Sequence, residues 1–323
     1  MKVLVTGGAG YIGSNLVDTL LARGETVVVL DDFSLGKHEN IDHNLSNQSF
    51  QLVEGSVTDA AAVASAMDGC ELVYHLAARV GIKYIVDDPL RGILTNVAGT
   101  ETILKEAYRR GIKVLLASTS EIYGKSDGIP FSEDGDRVLG ATSVARWSYS
   151  SAKAIDEHLA FAYAREGLRM AIVRYFNSYG PRLDPVGYGS VMAKFIMQAV
   201  TGQPLTVHSD GKQSRSFTFV EDTVEGTIRV ATAPEAEGQV FNIGCNRETT
   251  VLELARMVRS ATGSSSPIIH VEFSSFFGPN FEDIPRRVPN VEKARRVLGF
   301  EAGVPLEEGL QTTVAWMRQK LGC

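Results

Sequence analysis

Three cysteines in 323 residues, Cys70, Cys245 and Cys323, are too few and too far apart to frame a fold with disulfides. None sits in a C-x-x-C pair and the six histidines are scattered, so no metal site is expected. No apolar run approaches the roughly 18 residues of a transmembrane helix. The N-terminus opens at once on a strand-like run rather than a signal peptide. A cytoplasmic protein is therefore the expectation. Charge is modest: 32 basic against 38 acidic residues leave a net −6, which gives no reason to expect nucleic acid or an anionic membrane as partner. There is no internal repeat and no long low-complexity tract. What is left, 44% hydrophobic and 22% charged, is ordinary for a globular protein. At this length one or two domains are both plausible.

The first 32 residues are the most informative. Lys2–Thr6 is a short apolar strand, Gly7-Gly8-Ala9-Gly10-Tyr11-Ile12-Gly13 a glycine-rich turn, and a helix-period segment runs on to about Arg23. Gly24 stops that helix. A second strand, Thr26–Leu30, ends at Asp31-Asp32. Strand, glycine turn, helix, strand and acid within about 30 residues make a dinucleotide site. The glycines allow a tight turn and close approach of backbone to a pyrophosphate, and the helix N-terminus offers free N–H groups. A carboxylate at Asp31 accepts from ribose hydroxyls and repels a 2′-phosphate, which favours NAD over NADP.

The alternation continues. Phe50–Val53, Glu71–Leu76, Val114–Ala117 and Met170–Tyr175 read as strands; Asp59–Met67, Leu94–Arg110 and Tyr149–Glu166 read as helices. Continuous apolar strands imply a parallel sheet covered on both faces, with ligands beyond its carboxyl ends. Ser118 lies at such an end. Tyr149 and Lys153, four apart on a helix, share one face. A nearby ammonium favours a phenolate, so Lys153 is expected to lower the pKa of Tyr149 and make it a base for a sugar or alcohol hydroxyl.

After Asn177 the alternation breaks at Gly180-Pro181-Arg182 and Asp184-Pro185, with Gly187 and Gly189 loop-like. Helices are expected at Val191–Thr201, Glu221–Ala231, Thr250–Thr262, Val291–Leu298 and Leu306–Lys320. Strands are expected at Leu205–His208 and Val240–Gly244, and Phe217–Val220 precedes the helix Glu221–Ala231. The fold class is α/β: a doubly wound parallel Rossmann sheet with a smaller α/β C-terminal substrate-binding domain. Residues 1–178 with about 216–244 form the first domain, and about 179–215 with 245–323 the second.

The chain resembles, over essentially its whole length, the extended short-chain dehydrogenase/reductases that act on nucleotide sugars. The resemblance rests on G-G-A-G-Y-I-G at 7–13, H-L-A-A at 75–78, N-V-A-G-T at 96–100 and S-T-S-E-I-Y-G at 118–124. It rests also on Tyr149/Lys153, R-Y-F-N-S-Y-G-P-R at 174–182 and G-K-Q-S-R-S-F at 211–217. Within that group it looks most like UDP-glucuronate decarboxylases (UDP-xylose synthases). The pointers are Thr119-Ser120-Glu121, Arg146-Trp147 before Ser148-Tyr149, and Arg287 with Pro289.

The resemblance implies an NAD enzyme. Tyr149 would take the sugar 4-hydroxyl proton, Thr119 would bond the 4-oxygen, and Lys153 would support Tyr149. Ser120, Glu121 and Arg287 would orient the sugar and handle the proton delivered to C5. NAD would be held by Gly7, Gly10, Tyr11, Ile12 and Gly13, and by Asp31, Asp32, Ser34 and Lys37. Ser56, Val57, Leu76, Ala77 and Ala78 would complete that site with Asn96, Ser118, Tyr149, Lys153 and Tyr175. A UDP-sugar would meet Asn177, Val191 and Lys194; Arg182 and Arg215 would clamp its diphosphate, His208 is a candidate to stack on uracil, and Arg287 would reach the sugar. No metal is implied. Relatives pair as homodimers through two helices, here Leu94–Arg110 and Tyr149–Glu166, with Ile103, Ala107, Leu159 and Phe161 as interface residues.

Three departures stand out. Ser56-Val57 replaces an Asp plus apolar pair, Asn290 stands where an acid commonly follows Pro, and 79–88 does not closely match xylose synthases. In that last segment Arg79 and Lys83 are candidate carboxylate holders. A 4-epimerase would use the same oxidation, though many lack an acid at Glu121. A 4,6-dehydratase needs an Asp where Ser120 stands. An idle regulatory dinucleotide binder would usually lack the Tyr–Lys pair.

Overall fold

The computed structural model describes residues 1–184, 190–272 and 282–323. Gly187 and Gly189 and the side chain of Lys83 lie outside the described residues.

Six strands, β1 (Lys2–Thr6), β2 (Thr26–Asp31), β3 (Phe50–Glu54), β4 (Leu72–His75), β5 (Lys113–Thr119) and β6 (Met170–Tyr175), join a seventh, Val240–Ile243, in one sheet. The order is seventh–β6–β5–β4–β1–β2–β3, and every pairing is parallel. Alternate residues of a strand point to opposite faces, and here both sets are apolar. Val3, Val5, Val27, Val29, Leu115 and Val173 face one core. Leu4, Val28, Leu30, Val114, Leu116 and Ile172 face the other. That is why the strands read as unbroken apolar runs.

One face is covered by α1 (Tyr11–Ala22) through Leu16, Val17 and Leu20, and by the helix Val220–Thr232 through Val224 and Ile228. The other is covered by α2 (Ala60–Ala66), α4 (Pro89–Arg110) and α5 (Trp147–Arg165). A short α3 (Ile82–Asp87), not expected from sequence, precedes α4. The latter starts at Pro89, with Asp88 accepting from Arg91 N at 3.1 Å, five residues before the expected start. Ile103 and Ala107, expected at a subunit interface, are instead buried against the sheet. Leu159 and Phe161 pack on the same core. The exposed apolar residues of these helices are Leu90, Ile93, Leu94, Tyr108 and Ile155.

The remaining segments form small sheets beside the carboxyl ends. Leu205–His208 pairs in parallel with Ile268–Val271. Ser214–Ser216 lies between antiparallel Glu248–Thr250 and parallel Arg286–Arg287, which sets Arg287 beside Arg215. Thr218–Phe219 pairs in parallel with Ser178–Tyr179. Helices Val251–Thr262, opened by a Thr250/Glu253 capping box, and Leu306–Leu321 bury Leu254, Val258, Leu310 and Met317 in the same core as α1.

Candidate functional site

Register brings the functional ends together. Thr6 pairs with His75 and Leu30, and Thr119 with Tyr175, so the carboxyl ends of β1, β2, β4, β5 and β6 open on one crevice of about 700 Å³. The strand order reverses between β1 and β4, the place where parallel sheets of this kind take ligands.

At one end lies the glycine turn. Gly7 holds a φ of +71°, and a Cβ there would sit 2.8 Å from the Ala77 nitrogen. A Cβ on Gly13 would sit 2.1 Å from the Gly7 carbonyl oxygen. Helix α1 begins at Tyr11 without a side-chain cap and without an acid in its first turn, leaving its N–H groups to a ligand. Asp31 accepts from Ala9 N and Phe33 N, both at 2.9 Å, and burial pushes its carboxyl up. Asp32 is turned into its own loop, accepting from Ser34 N and Oγ at 3.0 and 2.5 Å. Gly10, Tyr11, Ile12, Ser34, Lys37, Val57, Leu76, Ala77, Ala78 and Tyr175 line the same crevice. The backbone-walled turn, the uncapped helix and the inward carboxylate fit an NAD pyrophosphate and adenosine ribose.

Two expected cofactor residues do something else. Ser56 is not on the crevice wall; its Oγ bonds Thr58 Oγ1 at 2.9 Å. Asn96 is buried, accepts from Arg79 N at 2.7 Å and donates to Arg79 O, so it fixes the loop after β4. Because Gly7 carbonyl is fixed backbone, Gly13→Ala is expected to displace the turn. Destabilisation of about 1–3 kcal/mol should show in thermal unfolding, with loss of NAD affinity in a binding titration.

The middle of the crevice holds Ser118, Thr119, Ser120, Glu121, Tyr149 and Lys153. Ser118 Oγ donates to Glu157 Oε1 at 2.5 Å, and Arg174 grips both Glu157 oxygens at 2.9 and 2.7 Å. Arg174 also donates to Tyr123 OH and to Glu133 O. This buried network under β5 and β6 fixes the strand ends that carry the site. Thr119 stands beside Tyr149 and pulls its phenol down against burial. Lys153 Nζ donates to Asp156 Oδ2 at 3.1 Å, both side chains being buried. The expected lowering of the Tyr149 pKa is reversed in direction: burial first, then the Glu121 and Asp156 carboxylates, raise it above the ordinary phenol value. Asp156, which pairs with Lys153, is among the causes.

At the far end Glu121 is held between two arginines, Oε2 by Arg146 at 3.1 Å and Oε1 by Arg287. Burial alone would raise the Glu121 carboxyl, but Arg287 and Arg146 hold it at about 2. Glu121 is therefore held as an anion between two cations. Arg215 stands behind, donating to Ser214 O at 2.8 Å and to Asp283 at 3.1 Å. Burial and then Arg287 push it down to about 10. Arg146 and Asp283 were not expected as site residues. The R-W-S-Y spelling marked Arg146 only as a likeness.

Asn177 lines the crevice with its Oδ1 buried and without a partner among the described residues. Arg287 lines it too, whereas Arg182, Val191, Lys194, His208 and Arg215 are not on its wall. Arg182 pairs with Asp18 at 2.5 Å, a contact that takes it away from a phosphate clamp. Val191 opens the helix Val191–Val200, and Lys194 Nζ lies 3.4 Å from His208 Nε2. Among candidate carboxylate holders Arg79 lies on the wall, its guanidinium 5.4 Å from the Tyr84 ring. Among the described residues no cluster of His, Cys, Asp or Glu could hold a metal, and no helix is long and apolar enough to cross a membrane.

Residues 3–244 match the model of the NAD dependent epimerase/dehydratase family. The UDP-N-acetyl-alpha-D-glucosaminuronate decarboxylase of Bacillus cytotoxicus is 41% identical, over 98% of each chain. UDP-glucuronic acid decarboxylase 2 of Arabidopsis thaliana is 39% identical over 99% of this chain and 69% of its own. A solved structure of UDP-glucuronic acid 4-epimerase from Bacillus cereus, in complex with UDP-glucuronic acid and NAD, superposes with a TM-score of 0.88. It is 28% identical and covers 99% of this chain and 100% of that one.

Proposed function

The chain belongs to the NAD dependent epimerase/dehydratase family, and from that premise we propose that it decarboxylates UDP-glucuronate through a UDP-4-keto intermediate to UDP-xylose, UDP-4-keto-pentose or both. The observation that carries this reading is the charge arrangement beside the base. Glu121, fixed as an anion by Arg146 and Arg287, adjoins Thr119 and Tyr149. An anionic hexuronate suits a pocket end in which arginines outnumber acids. Tyr149 takes the 4-hydroxyl proton, and Thr119 steadies the 4-oxygen. NAD, when bound, supplies the hydride acceptor for C4 and returns the hydride at the end. Once C4 is a ketone it is β to the C6 carboxylate, so the C5–C6 bond breaks, CO2 leaves, and its electron pair stays on the sugar as an enolate that takes a proton at C5. Arg287 and Arg146 attract the hexuronate and offset the negative charge that passes from its carboxylate to the enolate.

A 4-epimerase is the second reading, because the Bacillus cereus epimerase shares the whole fold. The two part on one experiment: incubation with UDP-glucuronate and NAD, with the product followed by mass spectrometry. Release of CO2 with a UDP-pentose is expected; UDP-galacturonate with its carboxylate retained would replace decarboxylation by epimerisation. The Bacillus cytotoxicus relative makes the 2-acetamido hexuronate the second substrate to run in parallel.

The same reading assigns 1–178 with about 216–244 to NAD and the rest to the UDP-sugar, and places the protein in the cytoplasm. Two copies would pair through α4 and α5, where Leu90, Ile93, Leu94, Tyr108 and Ile155 lie exposed; gel filtration tests the pairing.

A further inference from the structure

The Lys153 ammonium is buried, and among the described residues Asp156, itself without exposure, is the one carboxylate paired with it. A chain of polar side chains stands beside that carboxylate. Thr100 Oγ1 on α4 lies 3.1 Å from His75 Nε2, His75 Nδ1 lies 2.7 Å from Thr6 Oγ1, and Thr6 Oγ1 accepts from Ala77 N at 3.2 Å. Thr100 also adjoins Asp156 and draws its carboxyl down against burial, while Asp156 Oδ1 is buried and makes no hydrogen bond among the described residues. With the Thr100 hydroxyl turned toward that oxygen, His75 donates from Nε2 to Thr100, Nδ1 accepts from Thr6, and Thr6 accepts from Ala77. We propose that Asp156, with Thr100, His75 and Thr6 beside it, is a positioning residue that keeps the buried Lys153 ammonium charged.

Three facts support it. A buried ammonium without a counter-ion neutralises rather than stays charged. The other charged groups around the buried side of α5 are engaged elsewhere: Glu157 with Arg174, and Glu121 with Arg146 and Arg287. Burial, and then Lys153 itself, hold His75 down at about 3, so His75 is neutral, as the donor chain requires. The catalytic meaning rests on the proposed oxidation at C4, in which Lys153 supports Tyr149; the charge of Lys153 does not.

The test uses the NAD-bound protein labelled with carbon-13 at lysine Cε, the Lys153 signal being the one lost in Lys153→Met. The parent chain gives the reference midpoint of that signal. In Asp156→Asn its midpoint should fall by about two pH units or more, and Asp156→Glu should restore it. Asp156→Ser serves if the Asn variant does not fold. In a turnover profile the Asn variant should lose activity as pH rises through the lowered midpoint, where the parent does not. A midpoint unmoved in the uncharged variants, with activity reduced by one factor at every pH, would overturn the proposal. Because the titration needs no sugar, it fails or succeeds independently of decarboxylation.

Discussion

Tyr149→Phe is expected to bind NAD like the parent chain and to turn over about 10³-fold more slowly, the upper part of what a positioned base contributes. The substitution removes one oxygen. The ring stays, and with it the packing of a side chain that is 9% exposed. What is lost is one contact with the Thr119 side chain, so thermal unfolding should barely move. The rate loss should be the same for formation of reduced nicotinamide and for CO2 release, since both wait on the 4-hydroxyl proton. Burial and the Glu121 and Asp156 carboxylates hold the phenol above its ordinary value. Proton removal therefore depends on charge brought close during the reaction, and activity should rise with pH until the phenol no longer limits it. A Phe variant with parent-like turnover would take Tyr149 out of the chemistry.

The parts of this site that could be read from sequence are those set by local spacing. The glycine turn, Asp31 at the end of β2 and the four-residue step from Tyr149 to Lys153 each lie within one supersecondary unit, and the structure places all of them on the crevice. Strands were legible because both sheet faces are buried, so no polar alternation interrupts them. The start of α4 was not, because Asp88-Pro89 reads equally as a turn and as a cap with proline in the first helical turn. Pairings across the chain were invisible. Arg182 meets Asp18, 164 residues away, and Arg287 meets Glu121, 166 residues away. No period in the sequence encodes the two-residue strand that delivers Arg287 beside Arg215. The reversed Tyr149 shift comes first from burial and then from charges that the four-residue step does not show. Lys153 was visible four residues on, but a charge calculation that stops there omits Asp156 three residues further and Glu121 on another element.

Arg287→Ala is expected to separate the two halves of the reaction. Arg287 and Arg146 share Glu121, and Arg215 lies beside them with its charge half-answered by Asp283. Removing Arg287 leaves Glu121 with Arg146 alone, while Arg215 loses its nearest repulsion. The surviving Arg146 pair keeps the penalty to about 3 kcal/mol, the lower end for breaking a buried ion pair. Its sign with pH follows from Glu121. A carboxyl held at about 2, below its unfolded range, stabilises the fold above that range, and this contribution is lost as pH falls toward 2. The variant should therefore lose less stability at pH 3 than at pH 7. The chemical effect is larger. Tyr149 and Thr119 do not contact Arg287 through any hydrogen bond among the described residues, so the oxidation step should survive with a modest loss. Decarboxylation moves negative charge from the carboxylate onto the ketone side of the sugar, and a fixed cation aimed there is worth about 10²-fold. The expected result is reduced nicotinamide formed at near-parent rate with CO2 released about 10²-fold more slowly. Arg287→Lys should recover only part of this, because a point charge cannot reproduce the planar fork that holds Glu121. Equal loss in both steps would instead make Arg287 a substrate-binding residue, and parent-like CO2 release would leave Arg146 as the cation that matters.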